Sequence, residues 1–519
     1  MAPAVHRRGG RHRHGEPGHQ HTGGVLRGGS SAGVRRELIS AEYNLICCFC
    51  HVPSHSMSSR GNVRPSSILV RTVRLNFSRL LGHADRFITE ERLRLYPIVF
   101  IVGSVVAVTI SSAIRIADPT VQGALMPDYL AHWTGGGLLI SADPSILYDP
   151  QTQSAFQRNA LGTDVALSWF VSPPIVAAFY APFALLPYNI SGILWLIVST
   201  ALLVWCVLSL KSLAPTLMGR KRNVVILAVL ASAPVFELLG GGQDSAFTLA
   251  VWLVGIRLLG SHHNAWAGVV LALGFAKPQV VVLVPLVLLA TRNFRALASF
   301  VVACGLLLGI SIGLVGVDGL LRWAAALSSP LYVDEVQQGQ AWKMLGLPSL
   351  VQGLLPPALG GLIAPALMWA SLPIGASILL FRLHRNRTQQ AETPAIWSAT
   401  LATTAVFSPH FLTYDAVLLI PVIVLLLELR PSRYVRVSAV SLFVLIWLTP
   451  VFHLAAAQLP WPLSAVDAPW AAIPMAAIWI ESLRALHGPA AGIGQRPAAA
   501  TECFKAADPS PSIEGQQHG

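Results

Sequence analysis

The stretch LYPIVFIVGSVVAVTISSAIRIA, residues 95–117, decides the fold, because its only charge is Arg115. An apolar run of about 20 residues matches the hydrocarbon core of a bilayer. Lipid offers backbone N–H and C=O groups no partner, so such a run must be helical. Comparable runs recur as far as residue 485, separated by short charged interruptions. The 519 residues are 54% hydrophobic and only 12% charged, where a soluble globular chain carries about 25% charge. A soluble core would have to be larger than one domain builds. The expected fold class is therefore an all-α polytopic membrane protein with about 10–13 transmembrane helices and both termini cytoplasmic. Residues 95–485 form the membrane domain. Residues 1–94 read as a disordered basic cytoplasmic region, and 486–519 as a disordered cytoplasmic tail.

The formal net charge of +12 invites a nucleic-acid partner. The excess, however, sits in the N-terminal region and in short loops beside apolar runs, where membrane insertion selects Lys and Arg. No nucleic-acid partner is expected. The opening MAPAVHRRGGRHRHGEPGHQH lacks an apolar period and a cleavable apolar segment, so it reads as low-complexity chain and not as a secretory signal. Met57 is an alternative start. Cys47, Cys48 and Cys50 with His51 and His55 fit no familiar zinc spacing, and no metal site is assigned. Cys206 and Cys304 lie inside apolar runs and act there as small hydrophobes.

Charge asymmetry orients the chain. The basic lead-in with Arg71, Arg74, Arg79, Arg86, Arg92 and Arg94 belongs in the cytoplasm. Segment 118–170 then lies outside; it holds Asp118, Asp128, Asp143, Asp149 and Asp164 against Arg158 alone. Basic loops around Lys211–Arg222, Arg292–Arg295, Arg382–Arg387 and Arg430–Arg436 alternate with Lys/Arg-poor loops at 240–244, 318–344, 408–415 and 453–469. Parity makes 171–210 cross an odd number of times, its first block only dipping in. It makes 265–290 turn back at Lys277-Pro278, as two short helices rising to a break. Block 345–357 is a further shallow dip. Within 129–160, Trp133, Tyr148 and Phe156 among polar residues and glycines suit short amphipathic helices on the outer leaflet.

On this topology the polar residues hardest to explain by packing share the outer face: Asp128, Gln243, Asp244, Lys277, His410 and Asp415. Ionisable residues at membrane depth are costly enough to suggest function. Each also has a structural reading. Asp128 caps the helix that starts near Tyr129, Gln243 bridges a glycine turn, His410 is a satisfied interfacial histidine, Lys277 snorkels to headgroups, and Asp415 opens a helix. Their convergence on one face favours a site.

The order of motifs carries a resemblance. Asp128-Tyr129 follows the first helix, then ADPSILYDP (Ala142–Pro150), Phe170–Pro174, PFALLP (Pro182–Pro187) and Trp195. GGQDS (Gly241–Ser245), AGVVLALGFAKPQ (Ala267–Gln279) and SPHFLTYDAVLL (Ser408–Leu419) complete the series. Over about residues 95–430 this resembles glycosyltransferase family 87, the polyprenyl-phosphate-mannose-dependent mannosyltransferases with the GT-C fold. The resemblance implies a GT-C-like helix bundle in a bacterial inner membrane, with a site facing the periplasm or exterior. It implies a polyprenyl-phosphate-linked mannose or related hexose as donor, a glycolipid or polysaccharide acceptor, and neither cofactor nor metal. It implies Asp128 as general base and His410 as a second catalytic residue. The loop YVDEVQQGQAWKMLG (Tyr332–Gly346), with Asp334-Glu335, departs from the family pattern, as does the basic N-terminal region.

The chemistry agrees with elementary requirements. A sugar hydroxyl attacking an anomeric carbon needs a base for its proton, and a departing lipid phosphate needs cations or N–H donors. Lys277 and His410 are the candidates for the phosphate, with Tyr129, Gln243, Asp244 and Asp415 as further substrate-binding residues. One base and in-line attack predict inversion. The rivals are a lipid-linked glycan ligase, disfavoured by the acidic first loop, a secondary transporter, disfavoured by the lack of a repeat, and a flippase for the lipid-linked sugar.

Overall fold

The computed structural model describes residues 79–117, 126–141, 143–162, 165–334, 339–385 and 394–486. The expectations placed on residues 1–78, Asp118, Asp164, Glu335, Arg387 and the tail from 487 lie outside the described residues. Among the described residues every regular element is helical, and the protein is an all-α polytopic membrane protein. Five helices are long and apolar enough to cross a membrane: Glu90–Ile110, Tyr188–Ser212, Phe294–Ala326, Pro357–Arg385 and Arg433–Ala456. A sixth results if Pro215–Leu230 and Ala233–Gly241, bent by 53°, count as one span. Val99, Val102, Val105 and Ile110 project outward from the first helix, as suits a lipid-facing surface. Pro394–Phe407 is instead buried from Ile396 onward, the pattern of a helix enclosed by others.

Several runs that hydropathy reads as continuous are cut by proline, which lacks an N–H and clashes with the preceding turn. Residues 171–210 divide into Pro174–Ala184 and Tyr188–Ser209; the first, at about 17 Å, is too short to span. Residues 265–290 divide at Lys277, between a 3-10 turn at Leu273–Ala276 and the short helices Pro278–Val281 and Val284–Ala290. Block 345–357 contains only Leu347–Leu354 before Pro357–Arg385 begins. Among the described residues the spans long enough to cross thus number five or six and not the expected 10–13. The reason is that apolar stretches such as Ser245–Gly260 and Pro394–Phe407 form helices shorter than a bilayer-crossing length.

Helix Arg433–Ala456 joins two chemically different ends of the bundle. At one end Arg436 grips the Asp85 carboxylate through Nε (2.9 Å) and Nη2 (2.6 Å). Nearby, Lys221 pairs with Glu90, and Glu428 accepts the backbone N–H groups of Thr216 and Leu217 at 3.1 and 2.7 Å. A carboxylate at that helix N-terminus is favoured by the oriented peptide dipoles. About 25 Å along the same helix, His453 stacks on Trp342 (4.7 Å between ring centroids) and meets Asp467 at 3.0 Å. The residues singled out for chemistry lie at this second end.

The segment between the first two long helices is built by capping. Asp143 accepts Ser145 N at 2.9 Å and starts the turn Pro144–Ile146; Asp149 accepts Thr152 N at 2.8 Å and starts helix Pro150–Leu161. Both are Asp-Pro N-caps. The Thr152 hydrogen bonds hold the Asp149 carboxyl below its ordinary range. Two buried glutamines, one helical turn apart, then imitate a backbone ladder. Gln153 accepts Phe170 N (2.8 Å) and donates to Leu147 O and Phe170 O, while Gln157 accepts Ser168 N (3.0 Å) and donates to Ser168 O. Trp323 Nε1 donates to Val171 O at 3.0 Å, tying this segment to the Phe294–Ala326 helix. Leaving buried partners unsatisfied costs about 1–3 kcal/mol per group. Gln153→Leu should therefore lower stability by about 2 kcal/mol and expose 165–173 to protease. Thermal unfolding in detergent and limited proteolysis check this.

Candidate active site

Asp128 opens the site. It lies in the first turn of helix Pro127–Leu139, whose N-cap is Met126, so the expected capping role for Asp128 is not the one observed. Its neighbour Tyr129 fixes where the carboxylate goes. Tyr129 is fully buried; its hydroxyl bonds that of Ser191, and its ring stacks on Trp195. Trp195 Nε1 in turn donates to Gly242 O at 2.9 Å. Gly242 ends helix Ala233–Gly241 with φ +74°, a left-handed conformation that a side chain disfavours. A Cβ there would also lie 2.6 Å from Tyr129 Cβ. The glycine turn and the Asp128 helix are thus pressed together. A Cβ on Gly241 would lie 2.7 Å from Asp128 Oδ2, so the turn's glycines make room for the carboxylate.

Beyond the turn lies a buried ionic knot. Lys277 Nζ is 2.8 Å from Asp244 Oδ1 and 2.9 Å from Asp415 Oδ1, and it donates to Ser245 Oγ at 2.9 Å. Ser245 Oγ donates onward to Asp415 Oδ1 at 2.6 Å. The Lys277, Asp244 and Asp415 side chains are 12%, 7% and 1% exposed. An ammonium has three protons and no more, and three oxygens already surround this one. The Tyr414 ring adds a cation–π contact at 4.9 Å.

Asp415 reaches the knot from the 3-10 helix Thr413–Leu418, which follows the turn containing His410. His410 is half-buried, and its backbone N–H meets Ser408 Oγ at 3.3 Å. Its Nδ1 has no hydrogen-bond partner among the described residues. Burial lowers its pKa from the usual imidazole value.

The structure therefore assembles Asp128, Tyr129, Gln243, Asp244, Lys277, His410 and Asp415 around one end of the bundle, but gives several of them other tasks than sequence suggests. Tyr129, expected to bind substrate, is a buried packing residue. Lys277, expected to receive a phosphate, is enclosed by protein oxygens, its ion pairs with Asp244 and Asp415 foremost. Gln243 is buried, and its N–H closes the preceding helix on Leu238 O at 2.9 Å.

Three further residues belong here. His132 lies four residues after Asp128, on the same helix face, stacked on Tyr180 at 4.6 Å. Burial holds its ring below the ordinary imidazole range, against the pull of Asp244. The spacing in PDYLAHW is the signal that finds it. Glu237, hidden in the apolar run VFELLGG, has an Oε2 with no hydrogen-bond partner among the described residues. Lys343, in the loop that departs from the family pattern, places Nζ 4.0 Å from that oxygen.

The family model described as Glycosyltransferase family 87 matches residues 170–409. It takes in Glu237, the glycine turn, Lys277 and Lys343, while Asp128, His410 and Asp415 fall outside it. No curated protein and no solved structure matches the chain. Over that stretch, a little under half of its length, the chain is similar to glycosyltransferases of family 87.

Removing one partner of a buried ion pair strands the others and costs about 3–5 kcal/mol. Lys277→Met should unfold the protein at markedly lower temperature, and adding Asp415→Asn should recover a substantial part of the loss. Thermal unfolding of the purified single and double variants measures this; equal instability of both would contradict it.

Proposed function

We propose that this chain is a membrane glycosyltransferase that moves a hexose, with mannose the expected sugar, from a polyprenyl-phosphate-linked donor to a glycolipid or polysaccharide acceptor outside the cytoplasm. In this reading residues 95–485 are the catalytic domain in a bacterial inner membrane, behind a basic cytoplasmic region at 1–94. Asp128 is the general base. Supporting this choice, Asp244 and Asp415 are occupied by Lys277, Glu237 faces Lys343, and Asp128 lies half-buried against a glycine turn. A carboxylate that must take a proton has to be both reachable and uncommitted.

The acceptor hydroxyl oxygen attacks the anomeric carbon as the carbon–oxygen bond to phosphate breaks. The electron pair leaves on the lipid phosphate, and the hydroxyl proton passes to Asp128. Attack opposite the leaving group inverts the anomeric centre. His410, its ring kept neutral by burial, is suited to donate a hydrogen bond to substrate. The Lys277 knot and Tyr129 hold the framework in register and do not touch the reacting atoms.

General-base catalysis contributes about 10²–10⁴-fold, so Asp128→Asn should lower sugar transfer by that factor in vesicles supplied with labelled polyprenyl-phosphate-mannose. Transfer at the natural rate would refute Asp128 as base. Lipid movement without sugar transfer by the natural chain would favour a flippase. Gly241→Ala is a finer test. The new methyl meets the end of the Asp128 side chain, so kcat should fall at least about tenfold, since small misplacements of a reacting group are costly. The melting temperature should stay near that of the natural chain.

A further inference from the structure

Resting on the lipid-phosphate donor proposed above, we infer that Lys343, and not Lys277, is the cation that receives the donor's phosphate. The charge balance of the site demands such a group. Asp128, Glu237, Asp244 and Asp415 surround it, and the ammonium at its centre is already enclosed by two carboxylates and a hydroxyl. A phosphate gaining charge in these surroundings needs a donor with unused hydrogen-bonding capacity.

Lys343 meets that need by position. Its backbone is pinned to the segment carrying His410 and Asp415: Thr413 Oγ1 donates to Lys343 O at 3.2 Å, Leu345 N donates to Phe411 O at 2.8 Å, and Met344 bridges Leu412. Gly346 closes the same contact, since a Cβ there would lie 2.6 Å from Ser408 O. The side chain runs beside Trp342, with Nζ 5.1 Å from the ring centroid. Trp342 is itself held by its stack on His453. The Glu237 carboxylate, 4.0 Å away, aims the ammonium from beyond hydrogen-bonding distance. At 29% side-chain exposure Lys343 is open to a ligand, whereas Lys277 at 12% is enclosed. A fixed backbone, an aimed ammonium and spare protons are the properties of a phosphate contact. His410 immediately precedes the residues to which this loop is bridged, and its Nδ1 has no hydrogen-bond partner among the described residues.

The test is equilibrium binding of a long-chain polyprenyl phosphate to the purified full chain, with the matching uncharged polyprenol and inorganic phosphate as comparison ligands. Lys343→Gln should weaken lipid-phosphate binding about tenfold or more, as expected for losing a charged hydrogen bond, and leave polyprenol binding unchanged. The unchanged polyprenol binding reports that the variant is folded. Lys343→Arg should retain most of the phosphate preference. Lipid-phosphate binding by Lys343→Gln as tight as that of the natural chain overturns the inference and leaves the donor reading standing. A natural chain that does not distinguish polyprenyl phosphate from polyprenol overturns both. Displacement of the lipid by inorganic phosphate at comparable concentration assigns the cation to free phosphate and overturns its role toward the lipid.

Discussion

Lys277 suspended between Asp244 and Asp415 is the interaction on which the site depends. A lone buried ammonium is expensive to desolvate, and so is a lone carboxylate, but each can remain charged when it is held by the others. Here the three groups come from the turn after Gly242, from the broken helix pair at Lys277, and from the 3-10 helix at Thr413–Leu418. The partners are 138 residues apart in the chain for Lys277 and Asp415. Drawing them together sets the glycine turn against Asp128 on one side and the His410 segment against the Lys343 loop on the other. The knot is a strut, and its net negative charge shapes what the surrounding groups can do.

Its consequence is a division of labour among residues of the same type. Of four carboxylates, two pair with Lys277, one faces Lys343, and the fourth, Asp128, is the one proposed for proton transfer. Of two lysines, one is enclosed by oxygens and one is the more open to a ligand. The histidines divide too: His453 is committed to Asp467 and Trp342, whereas His132 and His410 each keep an Nδ1 with no hydrogen-bond partner among the described residues. Such sorting comes from tertiary placement, because residue type alone predicts the same chemistry for every member of each set.

This explains what the sequence does and does not reveal. The fold class is legible, because apolar runs of bilayer length admit only helices. The break at Lys277 is legible as well: a run that parity makes begin and end on one side must turn back, and Lys-Pro supplies both the charge and the missing N–H. Proline divisions elsewhere are harder to weigh, and residues 171–210 resolve into one short helix and one long one. Asp128 is visible as a carboxylate just past the first span. The partners of Lys277 are not, since a sequence shows the cost of a charge at depth but not which distant group compensates it. Glu237 is concealed by the leucines and glycines around it. Lys343 is overshadowed by the acidic pair in its own loop, and its importance appears only when Lys277 proves to be occupied.

The most direct examination of this account is an experimental structure of the full chain with a polyprenyl-phosphate-linked sugar bound. The account predicts the sugar lying beside Asp128, within hydrogen-bond reach (about 2.6–3.2 Å) of the attacking hydroxyl's position, with Lys277 still enclosed by its three oxygens. A phosphate seated on Lys277, with Asp244 or Asp415 released, would contradict it.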